Sequence, residues 1–576
     1  MTPKQFSARP ERFFPKKGVR LKIKIQAGAA APVTSLLSEI SASGLKCHLL
    51  GSTDLNEGDT VQVEAAGSTQ TVTGNIKRIE TRDIEDLPES LTVIYVAFEK
   101  TCSEIVGELR KQLREAPYIT GELSQEYLDG FASTINAETK SAIDFYFSES
   151  SDLFAKCRAF QEFVKDLQKK KIYQPLYRLT LTSGLDHRIA AFNPLTRREE
   201  EFICLDSNSY LGLHRHPRVT ETVKNVLSKT GYGTPSAQLL CGTNRYLREL
   251  EDTISQFHKR EDTIVFPSGY SANIGVITAL VRKSDLIVRD RFSHASIQDG
   301  CRWSGSRNSI MYPHRDVNKL DQLLTEFGTK SGIKGKLIIT DGVFSMHGGL
   351  APLPQLAEIA RKYGAKLMVD EAHSTGVIGP TGRGIEEHFE LDGTIDVLMG
   401  TFSKAPGTAG GYITGSKDLI YYLRFYAHSS VFTASLPAAT CAGVNEAFKI
   451  MQEEPQHRER LWQNVNFFAP NLAAMGFIVS EPNPILTVFM GSNRLLWAFS
   501  RDLFSAGIKC GTVAYPAVPD GESILRLTMN ARHTDNDLSR CLDILKKLGQ
   551  KYGILHKTRE EVLEIGEKIV LNSDGT

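Results

Sequence analysis

Long apolar stretches are missing from this 576-residue chain, and no run approaches the roughly 20 residues needed to span a bilayer. The opening residues, MTPKQFSARPERFF, lack the apolar core of a signal peptide. Lysine and arginine total 68 against 67 acidic residues, so the formal net charge is only +1. That balance gives no general argument for binding nucleic acid or an acidic membrane surface. A cytoplasmic location is the expectation that follows.

Close cysteine pairs are also missing. The nine cysteines are scattered along the chain, and none has a partner at the spacing of a metal site. This pattern predicts reduced thiols and no metal centre. The sequence has no internal repeat and no low-complexity tract. Its 41% hydrophobic content is ordinary for globular proteins, so function must be sought in local motifs.

Three regions of the sequence differ in pattern. Strict apolar–basic alternation from Val19 to Ile25, followed by three further β-rich stretches, predicts a small β-barrel. Apolar residues at helical spacing follow, and apolar strands then alternate with amphipathic helices, which predicts an α/β domain with a mostly parallel sheet. The predicted boundaries are 1–115 for the barrel, 116–175 for a helical linker, 176–445 for the large α/β domain with its N-terminal segment, 446–560 for a small α+β domain and 561–576 for a tail.

Two neighbouring runs carry the chemistry. VLMGTFSKAPGTAGGYITG places Lys404 between small hydroxyl residues, after an apolar segment and before glycine-rich backbone. An aldehyde cofactor such as pyridoxal phosphate (PLP) needs such an amine, close to groups that bind its phosphate. About 30 residues upstream, LMVDEAHSTGVIG delivers Asp370 and His373 at the carboxyl end of a short apolar strand. Open α/β sheets place ligand-binding groups at that edge, so both runs indicate a catalytic centre.

From about Gln174 to Gly549 the chain resembles the α-oxoamine synthases. These are fold-type I PLP enzymes that include serine palmitoyltransferase, aminooxononanoate synthase and aminoketobutyrate ligase. The resemblance covers roughly two thirds of the chain. It depends on nine ordered motifs: NSYLGL, GTNRYLRELE, FPSGYSAN, DRFSHASIQDG, TDGVFSM, DEAHSTG, TFSK, FTASLP and PAVPDGESILRLTMNARHT.

The resemblance implies a role for each motif residue. Lys404 would hold the cofactor as a Schiff base and move protons at the substrate α-carbon. Asp370 would pair with the pyridinium nitrogen, which keeps the ring an electron sink. His373 would bond the phenolic oxygen, and His294 would lie on the cofactor's other face and touch the substrate carboxylate. The rest of the cofactor pocket would be Gly269, Tyr270, Ser345 and Thr401, with Thr433 and Ala434 capping the phosphate of the other subunit of a homodimer.

Two further residues are assigned to the substrate by the same resemblance. Arg526 would clamp the carboxylate of the amino acid, a bidentate role that suits a guanidinium, and Asn208 would line the substrate site. Taken singly, each assignment has an ordinary structural alternative. His294 could be a satisfied structural histidine, Asp370 could cap a helix, and Arg526 could lie on a strand face.

The implied reaction is a decarboxylative Claisen condensation of a small amino acid with an acyl thioester, giving an α-amino ketone, carbon dioxide and a free thiol carrier. The strings AYPAVPDGESILR and TFSK favour L-serine and a long acyl chain, as in bacterial serine palmitoyltransferases. Leu247 and Met399 replace histidines found in relatives, so glycine or alanine with a shorter acyl group stays open. A PLP aminotransferase is a second alternative. No acyl-carrier segment with a DSL-type serine is present, so the thioester would arrive on coenzyme A or a separate carrier protein.

The amino-terminal region more loosely resembles a PilZ domain, a small barrel that binds cyclic di-GMP. The residues EISASG at 39–44 echo its Asp/Asn-x-Ser-x-x-Gly motif, with Ser41 and Gly44 in place and Glu39 in the first position. The companion arginine motif is only approximated by Arg9, Arg12 and Lys16. A lysine cannot reproduce the planar guanidinium fork, so we expect weak or no cyclic di-GMP binding. A cyclic di-GMP receptor with a passenger catalytic domain is the third alternative.

Overall fold

The structure is a computed structural model. It describes six strands between residues 22 and 98, and then residues 145–146, 152–172, 177–193, 196–346, 348–515 and 517–571. The chain divides into two compact units, Met1–Lys170 and Lys171–Thr576, each with its own internal contacts.

The first unit contains six antiparallel strands that hydrogen-bond in the closed order β1-β2-β3-β6-β5-β4. Their bounds are β1 Lys22–Ala27, β2 Val33–Ser41, β3 Gly44–Leu50, β4 Thr60–Ala65, β5 Thr71–Arg82 and β6 Leu91–Phe98. One helix, α1 (Ala155–Lys169), lies in the predicted linker. Its buried side chains, Phe163 and Leu167, are four positions apart and therefore share one face of the helix.

The second unit is built around a seven-stranded sheet in the order β11-β10-β12-β13-β14-β15-β9. Neighbouring strands are parallel from β11 to β14, whereas β15 runs antiparallel to both β14 and β9. The strands are β9 Asp262–Phe266, β10 Leu286–Asp290, β11 Asn308–Tyr312, β12 Lys336–Asp341, β13 Lys366–Asp370, β14 Val397–Thr401 and β15 Gly411–Gly415. The prediction of an α/β architecture with a mostly parallel sheet is therefore confirmed.

This sheet is buried on both faces by the helices that connect its strands. All five residues of β14 and of β15 are buried, as expected for central strands that helices cover on both faces. The helices around this sheet and in the flanking segments are α2 Pro217–Thr230, α3 Arg245–Phe257, α4 Gly269–Leu280, α5 Ala295–Trp303, α6 Val317–Phe327, α7 Leu353–Tyr363, α8 Ile385–His388, α9 Lys417–Tyr426, α10 His428–Val431 and α11 Ala438–Glu453.

A second sheet of five strands has the order β16-β18-β17-β8-β7. Its strands are β7 Arg188–Asn193, β8 Arg198–Leu205, β16 Ile485–Gly491, β17 Ile508–Val513 and β18 Ser523–Thr528. Two of the five therefore come from the N-terminal segment, which the sequence analysis grouped with the large domain. They join the C-terminal strands because β8 pairs in parallel with β17, with Ile203 opposite Ile508.

The remaining helices follow α11: α12 Gln456–Ala474, α13 Asn493–Ser505, α14 Asp535–Tyr552 and α15 Arg559–Glu567. The predicted domain boundary at 445/446 lies inside α11, and the helical residues of α15 extend into the segment predicted as a tail. A capping box formed by Thr558 and Glu561 starts α15, so its sequence signal was present. Among the described residues, no helix is long and apolar enough to cross a membrane.

Candidate active site

Lys404 follows the carboxyl end of β14, in a turn closed by glycine-rich backbone. The Oγ1 atom of Thr401, the last residue of β14, donates to the carbonyl oxygen of Gly410 at 2.8 Å. Gly411 lies against the start of α4, where an added Cβ would come within 2.7 Å of Gly269 Cα. The glycine-rich backbone after Lys404 therefore packs closely against the amino end of α4.

Asp370 ends β13, the strand next to β14, and is 4% exposed. Its Oδ2 atom accepts a hydrogen bond from Asn273 Nδ2 at 2.8 Å, and its Oδ1 accepts from the backbone N–H of Ala372 at 3.0 Å. Asp341 is its register partner on β12. Burial, with the neighbouring Asp370 carboxylate, raises the pKa of Asp341 well above its usual value. The site therefore holds Asp370 next to a carboxyl group that keeps its proton.

His294 precedes α5 and is joined to Asp370 through a short hydrogen-bonded chain. His294 Nδ1 lies 2.7 Å from Ser296 Oγ, which accepts from Asn273 Nδ2 at 2.9 Å. The backbone N–H of His294 donates to Asp341 Oδ1 at 3.2 Å. The His294 side chain itself is exposed, so its ring is available to a ligand.

His373 is buried and paired with a tyrosine. Its Nδ1 lies 2.6 Å from the hydroxyl oxygen of Tyr210. Burial, with the positive charges of Lys404 and Arg526, lowers the pKa of His373 well below its usual value, so the imidazole is neutral. Burial also raises the pKa of Tyr210, which keeps its proton. The Tyr210 hydroxyl can thus donate to Nδ1, which leaves Nε2–H of His373 as a donor for a phenolic oxygen.

Arg526 is in the middle of β18 and only 8% exposed. Its guanidinium donates to Asn208 Oδ1 at 2.8 Å, to the carbonyl oxygen of Ser345 at 2.8 Å and to Thr528 Oγ1 at 3.2 Å. None of these partners carries a charge. A buried guanidinium held only by neutral acceptors attracts an anion, and a carboxylate fits its planar fork.

The two sheets bring their charged groups together at Lys404. Burial, with the positive charge of Arg526, lowers the pKa of Lys404 to about 8, and Asp370 opposes that shift. An amine with this pKa is largely neutral in mildly basic solution and can act as a nucleophile or a base.

The residues present fit PLP. The amino end of α4 offers backbone N–H groups to a phosphate. Gly269 lets this helix end pack directly against β14, since a Cβ there would lie 2.8 Å from Met399 Cε and 2.9 Å from Thr401 Oγ1. Lys404 supplies the amine that an aldehyde requires, and Asp370 supplies a buried carboxylate for a pyridinium nitrogen. A buried anion, a buried amine and a helix terminus are the three partners that this cofactor's charges need.

The other residues predicted for the cofactor pocket have contacts that the prediction did not include or lie at the surface. Ser345 takes part through its carbonyl oxygen, which accepts from Arg526. Tyr270 is 42% exposed, with its hydroxyl bonded to Asp299 and its ring 6.4 Å from that of His294. Thr433 and Ala434 follow α10 at the surface, where Ala434 is exposed. Their assignment to a second subunit stays a prediction.

Similarity to known proteins gives the family of this chain. Residues 200–545 match the family described as aminotransferase class I and II. The chain belongs to this family. The 8-amino-7-oxononanoate synthase of Thermosipho melanesiensis is 42% identical over 352 residues, which are 61% of this chain and 89% of that protein. The present chain is therefore a PLP-dependent enzyme with α-oxoamine synthases among its homologues.

Two further relatives extend the comparison. The 4-hydroxy-2,2'-bipyrrole-5-methanol synthase PigH of Serratia sp. is 38% identical over 424 residues, 73% of this chain. The matched region spans only 64% of that relative's length, less than two thirds of it. A solved variant of serine palmitoyltransferase from S. paucimobilis, with bound PLP and myriocin, is 31% identical with a TM-score of 0.66. It covers 70% of this aminotransferase-family chain and all of the solved chain.

Sequence reasoning missed three side chains that hold the site together. Tyr210, Asn273 and Asp341 contact His373, Asp370 and His294, yet each was only a letter within a recognised motif. The signal for Asp341 was available, because it ends an apolar strand as Asp370 does. Tyr210 and His373 are 163 positions apart, and no spacing rule joins them.

The residues predicted to bind cyclic di-GMP lie in the part of the chain whose side chains the structure does not describe. Arg9 and Arg12 are not among the described residues, and of Ser41 and Gly44 only the strand positions in β2 and β3 are described. The PilZ-like assignment therefore stays a prediction.

Proposed function

We propose that this enzyme catalyses a PLP-dependent decarboxylative condensation of a small amino acid with an acyl thioester, releasing an α-amino ketone, carbon dioxide and the thiol carrier. The observation that carries the proposal is the buried Arg526 guanidinium beside the Lys404 amine. The hydrogen-bond partners of Arg526 among the described residues are all neutral, so it can bind a carboxylate within reach of the group that moves the α-proton.

The cofactor would be held by residues from the large sheet. Lys404 would bind its aldehyde, Asp370 its ring nitrogen, and the amino end of α4 with Thr401 its phosphate. When bound, PLP supplies an electron sink that stabilises negative charge at the substrate α-carbon. The Nε2–H of His373 would donate to the phenolic oxygen, in the tautomer that Tyr210 sets.

The chain's own groups would then perform the proton and orientation steps. Arg526 binds and orients the substrate carboxylate, and Asn208, bonded to Arg526 at 2.8 Å, holds the guanidinium in place. Lys404, whose pKa is lowered to about 8 so that its amine is neutral in mildly basic solution, removes the α-proton. The α-carbon then attacks the thioester carbonyl, and the thiolate carrier leaves. Loss of carbon dioxide follows, and Lys404 returns a proton to the α-carbon.

Serine is our favoured amino acid because of the AYPAVPDGESILR and TFSK strings. The similarity to a solved serine palmitoyltransferase, at 31% identity, supports this choice. The higher identity of 42% to an 8-amino-7-oxononanoate synthase supports the alternative of glycine or alanine with a shorter acyl group. A product screen by mass spectrometry, with these amino acids crossed against acyl thioesters of increasing length on coenzyme A and on carrier protein, decides between them.

An aminotransferase is the second candidate, since the matched family carries that description. It would share Lys404 and Asp370 but exchange the amino group with a keto acid. The two reactions differ in a measurable product. Carbon dioxide labelled from the amino-acid carboxylate, released only when acyl thioester is present, supports condensation. Thioester-independent formation of a keto acid would instead support the aminotransferase.

We further propose that the active form is a homodimer in which Thr433 and Ala434 cap the partner's phosphate. Phe432, directly before them, is 79% exposed, and Leu240 is 78% exposed. Large apolar side chains at such exposure are typical of surfaces that a protein partner covers. Sedimentation of the active enzyme tests this proposal, and a fully active monomer contradicts it.

For the amino-terminal unit we propose a PilZ-like module that binds cyclic di-GMP weakly or not at all. Lys16 offers a point charge where the motif has a planar fork, and Glu39 is a methylene longer than the usual residue. Calorimetry on the full chain tests it. Tight binding that Arg12→Ala abolishes would contradict the proposal and make the enzyme a second-messenger receptor.

A further inference from the structure

Three metal-ligating side chains meet outside the cofactor site, at the junction between α11 and α12. His216 is the N-cap residue of α2, Glu454 directly follows α11, and His457 is in the first turn of α12. The Nε2 atoms of His216 and His457 lie 3.4 and 3.2 Å from Glu454 Oε2. Within the described part of the chain, this is the one group of three such side chains whose ligand atoms all lie within 4.8 Å of one another.

The distances within the cluster are compatible with a cation shared by the three side chains. The His457–Glu454 contact of 3.2 Å is at the long end of the range for an N–H···O hydrogen bond, and the His216–Glu454 contact of 3.4 Å is beyond it. Ligands at zinc bond lengths of about 2.0–2.1 Å stand about 3.3 Å apart along the edges of a tetrahedron. Both measured histidine–carboxylate distances are close to that edge.

The surroundings also favour a cation. Arg218 donates to Glu446 at 2.8 Å, Glu453 at 2.7 Å and Glu454 Oε1 at 2.9 Å. Three carboxylates thus face one guanidinium, which leaves a local excess of negative charge. The contact with Oε1 orients the Glu454 carboxylate, as an outer-shell partner does in a metal site. Its Oε2 atom lies near both imidazoles and also accepts a hydrogen bond from Gln456 Nε2 at 3.3 Å.

The histidines are accessible, but one must change its tautomer. The side chains of His216, Glu454 and His457 are 17%, 23% and 28% exposed, so an ion can enter from solvent. His216 Nδ1 accepts a hydrogen bond from the Arg218 backbone N–H at 3.3 Å. Binding a cation at Nε2 moves the imidazole proton to Nδ1, and this long capping contact is then lost.

We propose that His216, Glu454 and His457 bind a divalent cation of the zinc class. Two imidazoles and one carboxylate are a known zinc ligand set, with a fourth position left for water. The three ligands come from the start of α2, the end of α11 and the start of α12. The cation therefore braces α2 against the α11–α12 junction, where the chain passes from the large sheet to the small one.

The test uses untagged, full-length holoenzyme that has been washed with chelator. Calorimetry with Zn²⁺ should give one site per chain, whereas Mg²⁺, which prefers oxygen ligands, should not bind there. His457→Gln should weaken Zn²⁺ binding by about 100-fold or more, and Glu454→Gln should weaken it similarly. His388→Gln is the matched control, since His388 is exposed and outside the cluster.

The melting temperature gives an independent readout. Zn²⁺ should raise it in the natural chain and in His388→Gln, but not in His457→Gln or Glu454→Gln. Equal melting temperatures of all four proteins in chelator would show that the substitutions leave the fold intact. Zn²⁺ binding that is substoichiometric, or equally tight in His457→Gln, would overturn the proposal. Neither result depends on the reaction that the enzyme catalyses.

Discussion

The seven-stranded and five-stranded sheets both direct charged groups toward Lys404, but the groups differ in kind. The large sheet contributes Asp370 and Lys404 from the carboxyl ends of adjacent strands, β13 and β14. The small sheet contributes Arg526 from the middle of β18. In the proposed enzyme the first sheet binds the cofactor, and the second sheet recognises the substrate.

The difference follows from sheet topology. In a parallel sheet the carboxyl ends of all strands meet at one edge, so residues from distant parts of the sequence converge there. The small sheet has antiparallel pairs on either side of β18, and its side chains act from a strand face. Arg526 is thus placed by cross-strand packing, opposite Thr487 and Gly511. Residues of the small sheet that contact the substrate can therefore differ without changing the edge of the large sheet where the cofactor would bind.

Lys404→Ala removes the amine that the large sheet contributes and should have the largest effect on turnover. The natural protein should be yellow as purified, because PLP bound to Lys404 absorbs in the visible. The variant should lose that covalently held chromophore, and turnover should fall by at least about 10⁴-fold, since both nucleophile and proton carrier are gone. Absorbance spectra and product formation measure the two effects. Normal turnover in the variant would contradict the assignment of the site.

Arg526→Lys breaks the small-sheet side and should separate substrate binding from cofactor binding. Loss of a bidentate charge-assisted contact should lower kcat/KM by about 10- to 100-fold, because such bonds contribute about 1.5–3 kcal/mol. The cofactor spectrum should stay close to that of the natural enzyme. Arg540→Lys, on an exposed face of α14, is the control. Loss of cofactor in Arg526→Lys would show that the two sheets do not divide the work in this way.

The pH dependence of cofactor uptake measures how strongly Arg526 of the small sheet lowers the pKa of Lys404 beside the large sheet. Burial and Arg526 lower the pKa of Lys404 to about 8, from an ordinary lysine value of 10.5. Only the neutral amine attacks an aldehyde, so covalent PLP uptake by the apoenzyme should rise with pH and level off above about pH 9. Visible absorbance after stopped-flow mixing measures this rate.

Arg526→Gln removes the neighbouring positive charge and should move that pH profile upward, while burial still keeps it below the ordinary value. An unchanged profile would mean that burial alone sets the pKa of Lys404. In that case the small sheet would have no electrostatic effect on the amine.

How much could be predicted from the sequence differs between the two sheets for the same reason. Asp370, His373 and Lys404 follow short apolar strands, so their edge of the large sheet was predictable from local pattern alone. Which strands form the small sheet was not predictable from local pattern. The pairing of β8 with β17 joins positions about 300 residues apart, such as Cys204 and Lys509. Next to this pairing, Lys509 Nζ donates to Asp206 Oδ2 at 2.6 Å. Periodicity within a strand cannot specify a partner at that distance.

The contacts between side chains were the least predictable part of the site. The motifs identified His373 and Arg526, but not that Tyr210 would be fully buried beside both of them. A tyrosine in NSYLGL is equally suited to packing in a core, and only the folded chain directs its hydroxyl at an imidazole. The cluster of His216, Glu454 and His457 escaped prediction for the same reason, because a long stretch of sequence separates its first member from the other two.

Tyr210→Phe tests the contact that joins the two sides of the site and should have the smallest effect of the four. Tyr210 follows β8 of the small sheet, and its hydroxyl lies 2.6 Å from His373 Nδ1 beyond the end of β13. Without that donor, either nitrogen of His373 can carry the proton, so the population that donates from Nε2 falls. Turnover should drop several-fold, by the loss of one hydrogen bond contributing about 0.5–1.5 kcal/mol. The visible band of the cofactor should shift, because its phenolic oxygen loses part of its hydrogen bonding.

Tyr552→Phe controls for the general cost of removing a hydroxyl, since the Tyr552 hydroxyl bonds Asp502 at 2.8 Å outside the site. A lower melting temperature with an unchanged visible band in Tyr210→Phe would make Tyr210 a packing residue, and His373 would then be oriented by the large sheet alone.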